Sequence, residues 1–196
     1  MATTRRIKSL AVGKSVNLHL LKYSAEEFRQ SQPSTSGRPY NKVIVGAAIL
    51  RRALNSISLN SPRILLLKRS AHEPYFPNVF ELPSGKVDPD DSTLKHALAR
   101  EVKEETGLDV TAILAELNPM IYTTEKTVLD DTKGEVLVSK SAIQLNYVVS
   151  ASDDTVELSA EEHSESRWVT EGELIGLDIT CAMRVVIREA FQWATN

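Results

Sequence analysis

The stretch of sequence that decides the fold runs from residue 100 to residue 108 and reads Arg-Glu-Val-Lys-Glu-Glu-Thr-Gly-Leu. It ends a segment without proline or glycine that begins at Asp91 or Ser92, and aliphatic residues recur there at every fourth position. This period is typical of a helix packed on one face, and Gly107 is a typical helix-ending residue. The sequence therefore predicts a helix from residue 91 or 92 to Thr106.

Three glutamates of this stretch share one face of the predicted helix. Glu101, Glu104 and Glu105 fall within about one third of the helix circumference. Their charges repel one another, and the last turn of a helix favours cations, while Arg100 and Lys103 offset only a little of this at an exposed face. Carboxylate oxygens are ligands for Mg²⁺ or Mn²⁺, so the pattern indicates a metal site or, alternatively, a solvated acidic face.

The segments before the helix alternate between apolar strands and polar turns. Residues 42–50 and 63–69 are apolar and rich in β-branched side chains, which predicts the two strands of a hairpin joined by a polar connection at 55–62. A short strand at 78–82 and a Pro-Ser-Gly turn at 83–85 follow. The chain is therefore predicted to reach the helix through strands and a tight turn.

The chain beyond residue 108 predicts a hairpin and a final helix. Apolar segments separated by turn residues predict further strands, at 110–117, 120–124, 127–129, about 135–150 and 167–169. A turn is predicted at 130–134 and an acidic loop at 151–166, and Thr180 is predicted to cap a last helix over 181–194. Strands mixed with two substantial helices indicate a layered α/β domain.

The N-terminal segment predicts elements of its own. Apolar and polar residues alternate over 15–23, which predicts a strand. Ser24 and Glu27 form the pattern of a capping box, which predicts a short helix to about Gln30. Prolines and glycine predict a loop over 31–41.

Composition excludes several classes of protein. The 196 residues and 42% apolar content suit one domain with a buried core. A net charge of −3 disfavours a protein that holds nucleic acid by bulk positive charge. The single cysteine, Cys181, cannot form an internal disulfide, and the apolar runs fall short of the roughly 20 residues that cross a bilayer. We therefore expect a cytoplasmic protein that is not bound to a membrane, with an organelle as the less favoured alternative because the residues before Glu26 are basic and free of acids.

Residues 85–108 resemble the Nudix box of the Nudix hydrolases. That box reads Gly, five residues, Glu, seven residues, Arg-Glu, an aliphatic residue, any residue, Glu-Glu, any residue, Gly and an aliphatic residue. Gly85 matches the opening glycine, and residues 100–108 match the second half at every specified position. The flanks at 80–83 and 162–174 are also similar to the family, so the resemblance covers roughly residues 42–175.

Three positions depart from the box. The segment from Gly85 to Arg100 is one residue longer than usual, Asp91 or Ser92 replaces the first glutamate, and Ser84 stands where a second glycine is usual. In the family, the first glutamate helps to anchor the arginine. We expect Asp91 to do the same with a shorter reach, with helix capping as the alternative.

The resemblance implies a fold and a chemistry. The expected fold is a Nudix-like α/β/α sandwich with a mixed β-sheet between helices, with residues 1–41 as an N-terminal extension and 42–196 as the hydrolase domain. The implied activity is Mg²⁺- or Mn²⁺-dependent hydrolysis of a phosphoanhydride bond in a nucleoside diphosphate linked to another group. A catalytically inactive module that binds a nucleotide or regulates another process is the alternative.

The resemblance also implies roles for individual residues. The predicted catalytic residues are Arg100, Glu101, Glu104 and Glu105, and the predicted metal ligands are the same three glutamates with the carbonyl of Gly85. The general base is either a box glutamate or one of two acids of the later loop, Glu161 and Glu162.

The substrate is expected to be a small nucleotide-type molecule bound by a monomer or a homodimer. Lys68 and Arg69 are predicted to meet a phosphate, with a solvated strand edge as the alternative. Phe80 and Tyr122 are predicted to bind the substrate, and they could stack on a base together with Tyr75 and Phe76. These aromatic residues could instead simply pack a loop. His163 is expected to be structural rather than catalytic.

Overall fold

The computed structural model describes residues 10–32, 34, 37–51, 61–130, 132, 134–153 and 155–196. The helices and strands of these residues are, in chain order, β1 (Ala11–Val12), α1 (Ala25–Ser31), β2 (Lys42–Arg51), β3 (Arg63–Arg69), β4 (Phe80–Glu81), β5 (Ser84–Lys86), α2 (Leu94–Thr106), β6 (Val110–Asp130), β7 (Gly134–Ala151), β8 (His163–Val169) and α3 (Cys181–Thr195). Short 3₁₀ helices lie at Leu20–Lys22 and Glu171–Gly176. Within these ranges, none of the helices has the length and apolar content needed to span a membrane.

The strands form one mixed sheet between two layers of helices. The strand order is β1-β6-β7-β2-β3-β4, with β5 paired to β2 and β8 paired to β3. The β2–β7 and β1–β6 pairs are parallel, whereas the β2–β3, β6–β7 and β3–β8 pairs are antiparallel. Central strands such as β2 are apolar on both faces because helices cover both faces.

Each face of the sheet has its own buried cluster. Val45 of β2 belongs to the cluster that contains Leu98 of α2, whereas Ala48 of the same strand belongs to the cluster that contains Ile187 of α3. This odd–even division follows from the alternation of side chains along a strand. The predicted α/β/α sandwich with a mixed sheet is therefore confirmed.

The predicted hairpin and its flanks are confirmed with small changes. β2 and β3 occupy the two segments predicted at 42–50 and 63–69, and they pair antiparallel at Leu50 and Ile64. Most of the connection predicted at 55–62 lies outside the described residues. The helix predicted over 181–194 is also confirmed, with Thr180 as its cap.

The strand predicted over 15–23 is wrong. This segment contains turns and the 3₁₀ turn at Leu20–Lys22, and the strand of the region is β1, which pairs in parallel with β6. The physical reason lies in Asn17, whose side-chain Oδ1 accepts hydrogen bonds from the backbone amides of His19 (3.1 Å) and Leu20 (3.3 Å). Such local bonds favour a turn over an extended strand, whatever the apolar alternation suggests.

The turn predicted at 83–85 is wrong in part, because Ser84–Lys86 forms β5. β3 pairs with only the last two residues of β2, Leu50 and Arg51, which leaves the earlier part of that edge open. β5 occupies it, with Gly85 opposite Val45. Pairing of an otherwise unsatisfied strand edge therefore explains why a Pro-Ser-Gly sequence becomes extended.

The later strands are longer than predicted. The three segments predicted at 110–117, 120–124 and 127–129 form the single strand β6, whose pairing with β7 slips between Leu117 and Met120, around Pro119. β8 begins at His163, four residues before the predicted strand, and shortens the acidic loop.

The N-terminal segment packs against the same core. The predicted capping box of Ser24 and Glu27 is confirmed at the start of α1. Leu21 and Phe28 are buried in the cluster that contains α2. The backbone carbonyl of Tyr23 accepts a hydrogen bond from the first amide of α2 at 2.7 Å. The division of the chain into 1–41 and 42–196 stays a prediction.

Candidate active site

The helix α2 begins and ends through local interactions. The Thr93 side chain caps its start by accepting a hydrogen bond from the amide of His96 at 3.1 Å. Gly107 ends it in the left-handed conformation with φ of 72°, where a side chain would be strained. Lys103 Nζ donates to the carbonyl oxygen of Gly107 at 2.6 Å and places a cation at the helix C-terminus.

Arg100 lies at the centre of a network of carboxylates. Its Nε and Nη2 atoms donate to the Asp91 carboxylate at 3.0 and 2.7 Å, and Nη1 donates to Glu104 at 2.7 Å. Burial by itself would raise the pKa of Asp91, but the hydrogen bonds from Arg100 and from the amide of Asp88 outweigh it and lower that pKa. The expectation that Asp91 anchors Arg100 is therefore met by the structure, and Thr93, rather than Asp91, caps the helix.

Glu101 is held between Arg100 and β5. Its Oε1 accepts a hydrogen bond from Arg100 Nη2 at 2.8 Å. Gly85 faces this carboxylate so closely that a Cβ atom there would lie 2.2 Å from Glu101 Cδ. Burial raises the pKa of Glu101 to about 7, while Arg100 opposes the shift and Glu104 adds to it. Gly85 is therefore required by the close approach of a carboxylate.

Glu105 is the most deeply buried acid of the helix. Its Oε2 accepts a hydrogen bond from the backbone amide of Ser84 at 2.8 Å. Burial raises the pKa of the Glu105 carboxyl well above its usual range, and the negative charges of Glu81, Glu101 and Glu162 raise it further. This carboxylate is therefore surrounded by like charges rather than paired with an arginine.

His163, the first residue of β8, and Glu162, the residue before it, converge on Glu105. Ligand atoms of Glu105, Glu162 and His163 all lie within 4.8 Å of one another. His163 is 2% exposed, and neither of its ring nitrogens has a hydrogen-bond partner among the described residues. Its Nε2 atom lies 3.9 Å from Glu105 Oε1 and 3.6 Å from Glu81 Oε1.

A second ion pair joins this cluster to an open cavity. Arg69, the last residue of β3, donates to Glu81 Oε1 at 2.7 Å and also bonds Glu73. Burial would lower the pKa of Arg69, but the carboxylates, Glu81 first, outweigh it and raise that pKa. Glu81 thus contacts Arg69 on one side and faces His163 on the other.

The cavity has a volume of about 390 Å³. Its lining includes Arg69, Tyr75, Phe76, Phe80, Glu81 and Tyr122. Burial raises the pKa of Tyr122 to about 12, and the nearby charge of Glu81 adds to this. Three of the four residues predicted to bind substrate therefore line one cavity, and the volume falls in the range of small-ligand sites.

Lys68, the fourth predicted substrate residue, is not among the residues that line this cavity. Its Nζ lies 5.8 Å from the centre of the Phe80 ring, and the guanidinium of Arg167 lies 5.3 Å from the same ring. These distances are typical of cation–π contacts. A different cavity, of about 470 Å³, lies near Arg63 and Glu173, and none of the predicted site residues lines it.

The predicted residues therefore divide into two groups along α2. Glu101 and Glu104 lie on the Arg100 side, and the Glu104 side chain is 59% exposed. Glu105 lies on the other side with Glu162. Of the two acids predicted as alternative bases, Glu162 joins the cluster, whereas the known contact of Glu161 is made by its backbone carbonyl, which bonds His72.

Glu81 was not predicted as a site residue, and His163 was expected to be structural rather than catalytic. A signal existed for Glu81, because it is a charged residue inside the otherwise apolar segment 78–82. The signal for His163 was its place in the flank at 162–174, which is similar to the family, although it follows two exposed glutamates in an acidic stretch without periodicity.

The residues present fit a divalent cation. A buried carboxyl among like charges and a buried imidazole without hydrogen bonds both lack a compensating partner in the described part of the chain. Oxygen and nitrogen donors of this kind are ligands for divalent metals. Glu105, Glu162 and His163 could hold such an ion, and Glu101 lies one turn earlier on the same helix.

Comparisons with known proteins agree with this description. The family model of the NUDIX domain matches residues 49–189. No curated protein sequence gave a match.

Solved structures share the fold. The chain is similar to the NUDIX domain of NrtR from Shewanella oneidensis, solved with ADP ribose, with 16% identity, a TM-score of 0.56 and coverage of 88% of this chain and 99% of that chain. It is similar to the MutT protein of Methanosarcina mazei Go1, with 25% identity, a TM-score of 0.52 and coverage of 79% and 96%. It is also similar to a MutT NUDIX hydrolase of Burkholderia pseudomallei, with 23% identity, a TM-score of 0.50 and coverage of 76% and 96%. These similarities agree with the mixed α/β architecture described above.

Proposed function

We propose a hydrolytic function from one premise: the chain belongs to the NUDIX family. The proposed reaction is the Mg²⁺- or Mn²⁺-dependent hydrolysis of a phosphoanhydride bond in a nucleoside diphosphate linked to another group. The observation that carries this proposal is the buried Glu105 carboxylate, which lies with Glu162 and His163 beside a cavity of small-ligand size. Glu81 connects the two, because it lines the cavity and faces His163.

The metal would be held by the glutamates of α2. We assign Glu105 as the first ligand and Glu101 and Glu104 as further ligands, together with the carbonyl of Gly85. When bound, a divalent cation neutralises phosphate charge and makes a bound water more acidic.

The protein residues orient the reacting groups. The amide of Ser84 holds one oxygen of Glu105, which turns its other oxygen toward His163. Arg100 positions Glu101 while Asp91 holds Arg100 in place. Glu162 is exposed and close to Glu105, so we favour it over Glu161 as the base that takes the proton of the attacking water.

The cavity would bind the organic part of the substrate. Tyr75 and Phe76 are 59% and 64% exposed at its rim, and Phe76 has a positive φ of 50°, a conformation that non-glycine residues rarely adopt. Exposed aromatic rings held in this way can stack on a base. Arg69 and Lys42, which also line the cavity, would attract the phosphates.

The test is a hydrolysis assay on the purified full chain. Release of phosphate or nucleotide is measured from a nucleoside triphosphate, a nucleoside diphosphate sugar and a dinucleoside polyphosphate, each with and without Mg²⁺ or Mn²⁺. We expect one class to be turned over only with metal, and Glu105→Gln to lower kcat by about a hundredfold or more.

The matched control is Glu116→Gln, which changes an exposed carboxylate of β6 whose contact is the amide of Asn17. It should keep full activity. If no class is turned over while a nucleotide still raises the melting temperature, the protein binds nucleotides without hydrolysing them and the proposal fails.

A further inference from the structure

We propose that His163 supplies an imidazole nitrogen to the metal site, so that the site prefers Mn²⁺ and other transition metals to Mg²⁺. This inference rests on the proposed function, because it concerns the same site. It starts from the position of His163 as the first residue of β8, opposite Arg69 of β3. Strand pairing is irregular there, between Lys68 and Arg69, and the His163 ring faces Glu105 of α2.

The His163 ring is unusual because it is buried without a hydrogen bond in the part of the chain that the structure describes. His163 is 2% exposed, yet both of its nitrogens are without a hydrogen-bond partner among the described residues. Buried polar atoms are nearly always bonded, and an exception calls for an explanation such as a missing ion. A nitrogen that binds a metal would be satisfied without any protein partner.

The distances suit a shared ion better than a hydrogen bond. Nε2 of His163 lies 3.9 Å from Glu105 Oε1, beyond hydrogen-bond range. Metal–ligand bonds of about 2.0–2.2 Å let two atoms at this separation reach one ion. The Glu162 carboxylate is also near, since ligand atoms of Glu105, Glu162 and His163 all lie within 4.8 Å of one another.

An ion pair between a protonated His163 and the acids explains the geometry less well. The nearer acid is Glu81, whose Oε1 lies 3.6 Å from Nε2 but already accepts a hydrogen bond from Arg69 at 2.7 Å. His163 therefore lies between two acids. One is Glu81, whose oxygen already accepts a hydrogen bond from Arg69, and the other is Glu105.

The imidazole nitrogen should raise the affinity of the site for some metals more than for others. Mg²⁺ is a hard cation that prefers oxygen ligands and keeps its waters, whereas imidazole suits transition metals. A site in which one imidazole joins the carboxylates should therefore bind Mn²⁺ or Co²⁺ more tightly than a site of carboxylates alone. Mg²⁺ would gain little from the same nitrogen.

The experiment is electron spin echo spectroscopy of Mn²⁺ added to the full chain. A directly bound imidazole gives a ¹⁴N modulation, and growth with ¹⁵N-labelled histidine should replace it with the ¹⁵N pattern. This measurement needs no substitution, so it does not depend on whether a variant folds. We expect the nitrogen signal in the wild type and in His19→Gln, which changes an exposed histidine that contacts Tyr23.

His163→Gln should remove the nitrogen signal. By calorimetry, the same variant should weaken Mn²⁺ binding by about tenfold or more and change Mg²⁺ binding far less. Bound Mn²⁺ without a histidine signal in the wild type would overturn the inference and leave the proposed hydrolysis intact, because an all-oxygen site can still perform it. A signal that persists in His163→Gln would also overturn it. If Mn²⁺ does not bind at all, both the inference and the metal-dependent function fail.

Discussion

The two ends of the carboxylate face of α2 differ in how their charges are compensated. At one end, Arg100 bonds three acids, and its partner Asp91 has a side chain that is only 2% exposed. At the other end, Glu105 is buried with further acids around it, and Ser84 provides its backbone hydrogen bond.

The difference separates two roles of acidic side chains. Acids that accept hydrogen bonds from the Arg100 guanidinium hold the helix and its loop in place. A buried acid without such a partner costs stability in the isolated protein and is available to a cation from solution. The end around Arg100 therefore holds Glu101 and Glu104 in place, and the end around Glu105 is where we expect the first metal ligand.

The largest effect on the free energy of unfolding is expected from removal of the Arg100 side chain. Arg100→Ala leaves the buried Asp91 carboxylate without its partner and should lower the free energy of unfolding by about 3 kcal/mol. Urea denaturation of the metal-free protein measures this. A loss below about 1 kcal/mol would mean that the Arg100 network does not hold the fold.

A slightly smaller effect on the free energy of unfolding is expected from metal binding at the Glu105 end of α2. A divalent cation that binds only the native state should raise the free energy of unfolding by about 2.7 kcal/mol at a hundred times its Kd. Thermal denaturation with and without Mn²⁺ measures the gain, and a chelator should reverse it. The gain should vanish in Glu105→Gln, and its persistence there would place the metal elsewhere.

Removal of the Glu105 charge should stabilise the metal-free protein, whereas Arg100→Ala should destabilise it. In the metal-free protein, Glu105→Gln replaces a buried carboxylate by a neutral amide that can still accept the bond from Ser84. We expect the free energy of unfolding to rise by about 1 kcal/mol, measured by urea denaturation. A fall instead would show that the carboxylate is already compensated without metal.

The smallest effect is expected from Glu104→Gln. The Glu104 side chain is 59% exposed, and exposed pairs between neighbouring turns of a helix contribute only about 0.3–0.5 kcal/mol. Urea denaturation should therefore barely separate this variant from the wild type. A change above about 1 kcal/mol would indicate that Glu104 shares the buried network of Arg100 and Asp91.

Features set by local sequence were predictable. The helix α2 and its end at Gly107 follow from apolar spacing and a helix-ending glycine, whereas the anchoring of Arg100 by Asp91 was expected from the resemblance to the Nudix box. The error at 15–23 came from local polar bonds that apolar periodicity does not take into account. Asn17 turns the chain where apolar alternation indicated a strand.

The rest of the site depends on contacts between distant segments. Glu81 comes from β4 and Glu105 from α2, whereas His163 begins β8 and Glu162 directly precedes it. Only the sheet order brings these residues together. No spacing along the chain encodes that convergence. The strand β5 has the same origin, since it forms where β3 leaves an edge of β2 unpaired.

The carbonyl of Tyr23, which accepts the first amide of α2, limits how far the chain can be shortened. The region shared with the NUDIX family starts at residue 49, yet Leu21 and Phe28 lie in the cluster beneath the carboxylate helix. A fragment trimmed to the shared region would expose apolar surface under that helix and free its first turn. The region recognised by homology is therefore shorter than the smallest fragment of this protein that should fold.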